Sequence, residues 1–426
     1  MQTNARWQAI LELIEQIWQD QKPADNIINE YFRARRYIGS KDRRFITDHI
    51  WQIIRNRCKL EFDINNCIDA SLRGGTEAIQ SNNKSKIYRH ILIAYLKDEA
   101  QTIFTGDQYA PAQLTSDEKN LLKKLTIDET PYPAHTEAET PLWIYEKINN
   151  DTLCRSLNST APADFRINVK HRSSEIDNLT NEGLTFTPTP YSPIGIRSQE
   201  RVNLNNCIAH KEGEIEVQDE ASQIASILAD PKPAEKIIDY CCGAGGKSLT
   251  MSYLMNNQGK IQAHDINWHR LEAIKDRADR LKATNIEIIK ELEDKDYDLF
   301  LLDAPCSGSG TWRRSPDAKF RLTKIQLTLL NKTQKELLNF AANHIKKGGR
   351  IVYITCSILQ EENEERIQEF LKNNTKFKPI NIKQIWNQKI DSSSNSTYPH
   401  TDEYCLKISP QTTNTDGFFI CILQKQ

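Results

Sequence analysis

KIIDYCCGAGGKS, residues 236–248, is a short apolar run that passes straight into glycines and then into a helical pattern. Glycines at 243, 245 and 246 let the backbone turn tightly and approach a ligand, and a helix that starts there offers unpaired N–H donors. A strand, a glycine loop and a helix in that order open a doubly wound α/β domain. The same grammar continues outward. Strands are predicted at Lys236–Asp239, Lys260–His264, Ile286–Ile289, Leu299–Leu302 and Ile351–Ile354, with a terminal pair near Leu406 and Phe418–Leu423, and amphipathic helices separate them. Such alternation implies a parallel sheet covered on both faces, a Rossmann-like α/β fold. Thr323 and Gln326 read as a capping box for the helix before the fifth strand, and Lys346-Lys347-Gly348-Gly349 as its charged, left-handed stop.

The amino-terminal half reads differently. Trp7, Ile10, Leu11, Ile14, Ile17 and Trp18 recur at helical spacing, and Phe45, Ile46, Ile50, Ile53 and Ile54 form a second apolar stripe. Arg33 to Lys59 carries nine Lys or Arg against Asp42 and Asp48 in a chain whose net charge is -1. That balance excludes a uniformly basic coat and directs any polyanion to a local patch, with Arg43 and Arg44 as candidate phosphate contacts. Residues 128–141, DETPYPAHTEAETP, have three prolines and no apolar periodicity, the composition of a linker. FRINV at 165–169 and LTF at 184–186 flank a polar helical stretch and predict a small α/β connector. The expected division is 1–130 for an all-α domain, 131–225 for the linker and connector, and 226–426 for the α/β domain.

At 426 residues, 27% charged and 38% hydrophobic, the composition is that of a folded globular chain. No apolar run reaches membrane-spanning length, and Glu12 and Glu15 interrupt the first amphipathic stretch, so the expectation is a cytoplasmic protein with no membrane partner. Ten cysteines without a CxxC pair predict reduced thiols and neither a disulfide framework nor a metal site. A monomer is expected.

Three motifs carry chemistry. Ser248 stands where a dinucleotide loop has its third glycine, and Asp265 lies twenty residues after Gly245 at a strand end, placed to bond both ribose hydroxyls of an adenosine ligand. Together they favour S-adenosylmethionine over NAD, held by Cys241, Cys242, Gly243, Ala244, Gly245, Gly246, Lys247 and Asp265. LLDAPCSGSGT at 301–311 and ITCS at 354–357 follow the fourth and fifth strands, so Cys306 and Cys356 are predicted at the ligand-binding edge of the sheet. The C5 carbon of a cytosine is a poor nucleophile until a thiolate adds to C6, and an acid at N3, for which Asp303 is placed, assists that addition. A second cysteine is useful when the C5 proton leaves and the thiolate is expelled. Spacing alone leaves open which cysteine attacks.

These residues resemble the NOL1/NOP2/Sun family of RNA cytosine-5 methyltransferases over nearly the whole chain. DYCCGAGGK matches the family's cofactor loop with Cys242-Gly243-Ala244 in place of the usual Ala-Ala-Pro. LLDAPCSGSGTWRRSPD, ITCSILQEENE, Gln218-Asp219-Glu220-Ala221-Ser222 and Asp416-Gly417-Phe418-Phe419 match further family elements, and GSKDRR at 39–44 resembles a NusB-like helical RNA-binding domain. The resemblance implies Cys356 as nucleophile and Cys306 as the group assisting release. It also implies Asp303 near both cofactor and target base, and an acid after the third strand near adenine, for which Glu291 is chosen over Glu293 and Asp294. Arg313 and Arg314, with Lys319 and Arg321, are candidate phosphate contacts, and ribosomal RNA, that of the small subunit, is the implied partner. A reading of another class is an RNA-binding assembly or antitermination factor with a non-catalytic cofactor domain; intact Gly245, Asp265, Asp303, Cys306 and Cys356 speak against it.

Overall fold

The computed structural model describes residues 1–68, 84–169, 171–198, 202, 204, 206–292, 295–391 and 397–426, and Glu293 and Asp294 lie outside them. The chain divides into two units, Met1–Ser159 with Arg314–Arg321, and Thr160–Arg313 with Leu322–Gln426.

The first unit is helical. Helices Thr3–Gln19, Ala24–Ala34, Ser40–Arg55, Arg57–Cys67, Lys84–Leu96 and Ser116–Ile127 bury the two predicted stripes, with Trp7, Ile10, Ile14, Ile46, Ile50 and Ile54 in one core. The proline-rich stretch is not a boundary. Short helices Ala134–Glu137, Leu142–Ile148 and Asp151–Leu157 follow it inside the same unit, which runs to Ser159. Prolines at 133 and 141 serve as extended residues that start helices, where a missing N–H costs nothing. Arg314–Arg321 is anchored in this unit. Asp317 accepts the Ala24 N–H at 3.0 Å, and buried Lys319 donates to Asn158 at 2.8 Å.

The second unit holds two sheets. Strands β1 (Ala163–Ile167), β2 (Thr187–Pro188), β3 (Gly195–Ser198) and β4 (Ile215–Val217) pair antiparallel in the order β2-β3-β1-β4. Leu184–Phe186, expected as a strand, is instead the approach to β2: Phe186 is drawn inward to meet the Phe165 ring edge-on at 5.2 Å, and pairing starts only at Thr187.

The larger sheet contains β5 (Lys236–Asp239), β6 (Lys260–Ala263), β7 (Ile286–Ile288), β8 (Tyr297–Asp303), β9 (Ile345–Thr355), β10 (Phe377–Pro379), β11 (Cys405–Ile408) and β12 (Phe418–Lys425). Its order is β10-β12-β9-β8-β5-β6-β7, with β11 also on β12. The five strands from β9 to β7 are parallel and β12 runs against β9. Alternate residues of β8 show the double covering: Leu299 and Leu301 enter the core on one face, Phe300 and Leu302 that on the other. The chain reverses direction across the sheet between β5 and β8, which opens a crevice at their carboxyl ends.

The capping box of Thr323 and Gln326 forms as expected on helix Lys324–His344. The Lys-Lys-Gly-Gly run does not end that helix. Ile345 is buried and pairs with Tyr297, which pulls the chain into β9 directly after His344. Gly348, at φ +79°, absorbs the extra residues of a bulge before Arg350 pairs with Leu299.

Buried charge ties the small sheet to the helix Glu220–Leu228. Arg197 grips Asp164 through two bonds of 2.6 and 2.9 Å, and Asp164 also accepts the Glu220 N–H at 3.2 Å. Asp164→Ala should lower unfolding free energy by about 3 kcal/mol, because it leaves a buried guanidinium without its bidentate partner. Urea denaturation tests this, and a wild-type midpoint would show that Glu220 alone satisfies Arg197.

Candidate active site

Gly243 and Gly245 both adopt positive φ, 56° and 78°. A Cβ on Gly245 would stand 2.8 Å from Ile274, so the turn into helix Gly246–Leu254 admits only glycine, whereas the same position on Gly243 faces open space. Asp265 fixes the loop from beneath. Its two oxygens accept the N–H groups of Gly243 and Asn267, each at 2.8 Å, and each oxygen keeps accepting capacity for a pair of hydroxyls. Gln218 braces the other side, accepting from Thr250 at 2.8 Å and donating to the Gly246 carbonyl at 3.3 Å.

Asp239, at the end of β5, is fully buried. One oxygen accepts the Ser248 hydroxyl at 2.6 Å, and among the described residues the other has no partner. Burial, with Asp303 and Asp265 adding to it, pushes this carboxyl up to about 7 against the pull of Ser248 and Lys247. Asp303 and Asp239 thus act on one lysine, and Asp265 adds a third carboxylate next to Asp239. That surplus of negative charge suits a ligand carrying an ammonium and a sulfonium and opposes a pyrophosphate, so S-adenosylmethionine fits these residues. Burial and the same carboxylates hold the Cys241 and Cys242 thiols well above the ordinary thiol value. Cys242 packs with Ala263, Leu271 and Ile274, and its N–H donates to the His264 carbonyl, which makes it part of the loop's framework.

Lys247 reaches across to Asp303 at the end of β8, Nζ to Oδ2 2.7 Å, above the Phe418 ring. Burial alone would depress its ammonium, but Asp303 first, then Asp239 and Cys356, outweigh it and raise the value. Asp303 is therefore a paired carboxylate, fitted to accept a hydrogen bond more than to give up a proton.

The loops after β8 and β9 bring the two cysteines together, with Sγ atoms 3.4 Å apart. The residue that organises both loops is Glu362, which the sequence motif contained without revealing its role. It is fully buried and accepts the Ser307 N–H at 2.8 Å, the Ser307 and Ser357 hydroxyls at 2.5 Å each, and the Gln334 amide at 2.9 Å. Gly310 donates to the Cys356 carbonyl at 2.9 Å and accepts from Gly417 at 2.8 Å; a Cβ on Gly310 would stand 2.0 Å from the Gly417 carbonyl. The two thiols meet different charges. Cys356 acts on the Lys247 ammonium, while the hydrogen bond to Cys356, burial, and the charges of Cys356 and Glu362 raise the Cys306 thiol well above its ordinary value.

Other predicted residues lie elsewhere. Glu291 is exposed beyond β7. Arg313 is buried and spent on Asp416 at 2.6 Å and on Asn414, so it is a structural cation with no face for a phosphate. Lys319 is buried in the helical unit for the same kind of reason, its ammonium taken by Asn158, and Arg321 pairs with Asp317 at 2.9 Å. Arg314 is exposed. Arg43 donates to the Ile38 carbonyl at 2.8 Å and lies over the Phe32 ring, whereas Arg44 is exposed and meets Asp48 at 3.7 Å. Ile266, 98% exposed immediately after Asp265, is a bare apolar side chain at the loop's rim that periodicity could not single out. Among the described residues no group of three or more His, Cys, Asp or Glu is placed to hold a metal ion, and no helix is long and apolar enough to cross a membrane.

Comparison with known proteins places this geometry. The family model "16S rRNA methyltransferase RsmB/F" matches residues 226–424. The "Probable ribosomal RNA small subunit methyltransferase B" of Bacillus subtilis (strain 168) is 34% identical over 313 residues, 68% of this chain and 67% of that protein. The "Ribosomal RNA small subunit methyltransferase B" of Proteus mirabilis (strain HI4320) is 25% identical over 425 residues, 92% of each chain. Among solved structures, PH0851 is similar with a TM-score of 0.76 at 25% identity, over 100% of this chain and 99% of that one.

Two outcomes follow from the buried carboxylates. Glu362→Ala, which leaves four donors without their acceptor, should lower unfolding free energy by about 3 kcal/mol, and Glu362→Gln by less because an amide oxygen still accepts. Urea midpoints measure both, and a wild-type midpoint for Glu362→Ala would remove it as an organiser of the loops. Asp239 gives a pH effect of defined sign. Its carboxyl titrates near 7 when folded and near 3.8 when unfolded, so between these values the folded chain keeps a proton that the unfolded chain has lost, and stability falls as pH rises. Asp239→Asn should match wild type near pH ~4 and be the more stable of the two near pH ~8 in the cofactor-free protein. No advantage at the higher pH would contradict this account of Asp239.

Proposed function

The chain belongs to the RsmB/F family of 16S rRNA methyltransferases, and from that membership we propose that it makes 5-methylcytosine in small-subunit ribosomal RNA with S-adenosylmethionine as donor. The observation that carries the chemistry is the meeting of the two thiols, with Sγ atoms 3.4 Å apart, at the strand ends that also hold the Lys247–Asp303 pair. The hydrogen bond to Cys356, burial, and the charges of Cys356 and Glu362 raise the Cys306 thiol, which favours its protonated form. With the Cys306 thiol raised, Cys356 is the nucleophile in this reading.

The Cys356 thiolate adds to C6 of the cytosine, forming an S–C6 bond and leaving C5 electron-rich. The negative charge that the addition puts on the ring is neutralised as N3 takes a proton from solvent, and Asp303, held by Lys247, would accept the hydrogen bond of that N3–H. Bound S-adenosylmethionine supplies the methyl group that C5 takes up. After methyl transfer, Cys306 gives its proton to solvent and its thiolate takes the C5 proton; as the C5–H bond breaks, its electron pair restores the C5–C6 double bond and expels the Cys356 thiolate. When the cofactor is bound, Asp265, with accepting capacity left on both oxygens, would hold its ribose hydroxyls, and exposed Ile266 next to it would offer an apolar surface to the adenine.

The test separates the cysteines. Cys356→Ser should lose methyl transfer and form no adduct, because a serine hydroxyl at neutral pH lacks a thiolate's nucleophilicity. Cys306→Ala should attack and methylate but fail to release, accumulating a protein–RNA complex that survives denaturing electrophoresis. The reverse pattern would assign the nucleophile to Cys306. Methyl transfer without an adduct in either variant would sink cytosine C5 chemistry, and bisulfite mapping of ribosomal RNA from cells with and without the protein identifies the nucleotide.

A further inference from the structure

The basic stretch Arg33–Lys59 is largely consumed inside the helical unit. Arg35 pairs with Glu12 and stacks on Tyr31, Arg43 holds the Ile38 carbonyl, Arg55 donates to the carbonyls of Asn158 and Ser159, Arg57 pairs with Glu61, and Lys59 pairs with Glu137. What remains lies on one turn and the helix ends that it joins. Arg33, Arg36 and Lys41 are exposed and make no ion pair among the described residues, and Arg44 is exposed on the helix that follows. Between them stands Tyr37, 76% exposed, on the turn that joins helix Ala24–Ala34 to helix Ser40–Arg55.

The turn is braced. Ile38 is 1% exposed and plugs the core, its N–H donates to the Arg35 carbonyl at 3.0 Å, and its own carbonyl takes the Arg43 side chain at 2.8 Å. The Tyr37 ring is therefore presented to solvent by a fixed backbone, with unpaired cations on both sides in sequence. Tyr109 shows the contrast: it is 68% exposed, but Phe104–Leu114 around it contains Asp107 and no Lys or Arg. An exposed ring flanked by free guanidinium and ammonium groups is the arrangement that binds single-stranded nucleic acid, with a base stacked on the ring and adjacent phosphates on the cations. A duplex offers the same phosphates with its bases already stacked and out of reach.

We propose that Tyr37 is a stacking platform for an unpaired nucleotide of the RNA substrate, with Arg33, Arg36 and Lys41 holding the neighbouring phosphates. The inference rests on the RNA methyltransferase reading and adds to it the single-stranded character of the RNA that the helical unit takes. Binding of the full chain to an unstructured oligoadenylate and to an adenine–uracil duplex of equal length tests it. Tyr37→Ala should weaken binding to the oligoadenylate roughly tenfold and leave the duplex unchanged, and Tyr37→Phe, which keeps the ring, should bind as wild type. The salt dependence should separate the roles: Tyr37→Ala keeps the wild-type slope, whereas Arg33→Ala and Arg36→Ala each reduce it by about one unit. An unchanged thermal midpoint for Tyr37→Ala confirms that the variants are folded. Wild-type affinity in Tyr37→Ala, or an equal loss on the duplex, overturns the proposal while methyl transfer to ribosomal RNA by the wild type leaves the enzyme reading standing. Absence of both RNA binding and methyl transfer in the wild type overturns the two together.

Discussion

The pairing of β8 with β9 is the constraint from which the rest of the site follows. Asp303 stands opposite Ile354 in that register, and the Ala304 N–H continues the ladder to the Ile354 carbonyl at 2.9 Å, so both strands run out at the same height. Parallel neighbours lie about 4.8 Å apart, which is close enough for the first residues beyond them to share one small molecule. Cys356 is the first residue beyond β9 and Cys306 the third beyond β8, and their sulfurs meet at 3.4 Å. Moving either strand by one residue would turn its terminal side chains to the opposite face and part the sulfurs. Two further contacts hold the loops in that relation: the close approach of Gly310 and Gly417, which no Cβ permits, and the Glu362 carboxylate, to which both serine neighbours of the cysteines donate.

Buried charge then makes two chemically identical side chains different. Lys247 leaves the first turn of the helix after the glycine loop and crosses to Asp303, so the cation that neutralises the end of β8 also lies in the field of Cys356. Glu362 accepts the N–H of Ser307, the residue after Cys306, and acts on the Cys306 thiol. The cofactor loop and the cysteine loops are thus one electrostatic system, with Asp239, Asp265 and Asp303 setting a negative ground against which a single lysine acts. A buried lysine in such company holds its charge because the carboxylates around it outweigh the cost of its burial.

The helical unit uses charge in another way. Most cations of its basic stretch end on carbonyls, carboxylates or aromatic rings of the same unit, which is the usual fate of an arginine whose stem lies along apolar surface. Arg313 in the α/β unit and Lys319 in the helical unit make the same point, since each is buried and satisfied within its own unit. A count of positive residues along a sequence therefore overstates what a polyanion can reach.

The sequence alone was enough for the α/β grammar, the glycine loop, the capping box at Thr323 and the two cysteine motifs, because each is a local pattern whose physics lies within a few residues: period in a strand, φ in a turn, a side chain bonded three residues away. Lys346–Gly349 misled as a helix stop because the stronger term was not local; burying Ile345 against Tyr297 drew the chain into β9 first. The proline-rich stretch misled as a boundary for a similar reason, since prolines that begin helices read like prolines in a linker. Only the tertiary structure decided the pairing of β8 with β9, the meeting of Lys247 with Asp303, the role of Glu362, and which arginines are left free, because these depend on contacts between residues tens to hundreds of positions apart. A one-dimensional pattern records the type of each charge; the folded chain decides whether that charge meets solvent, a carboxylate or a sulfur.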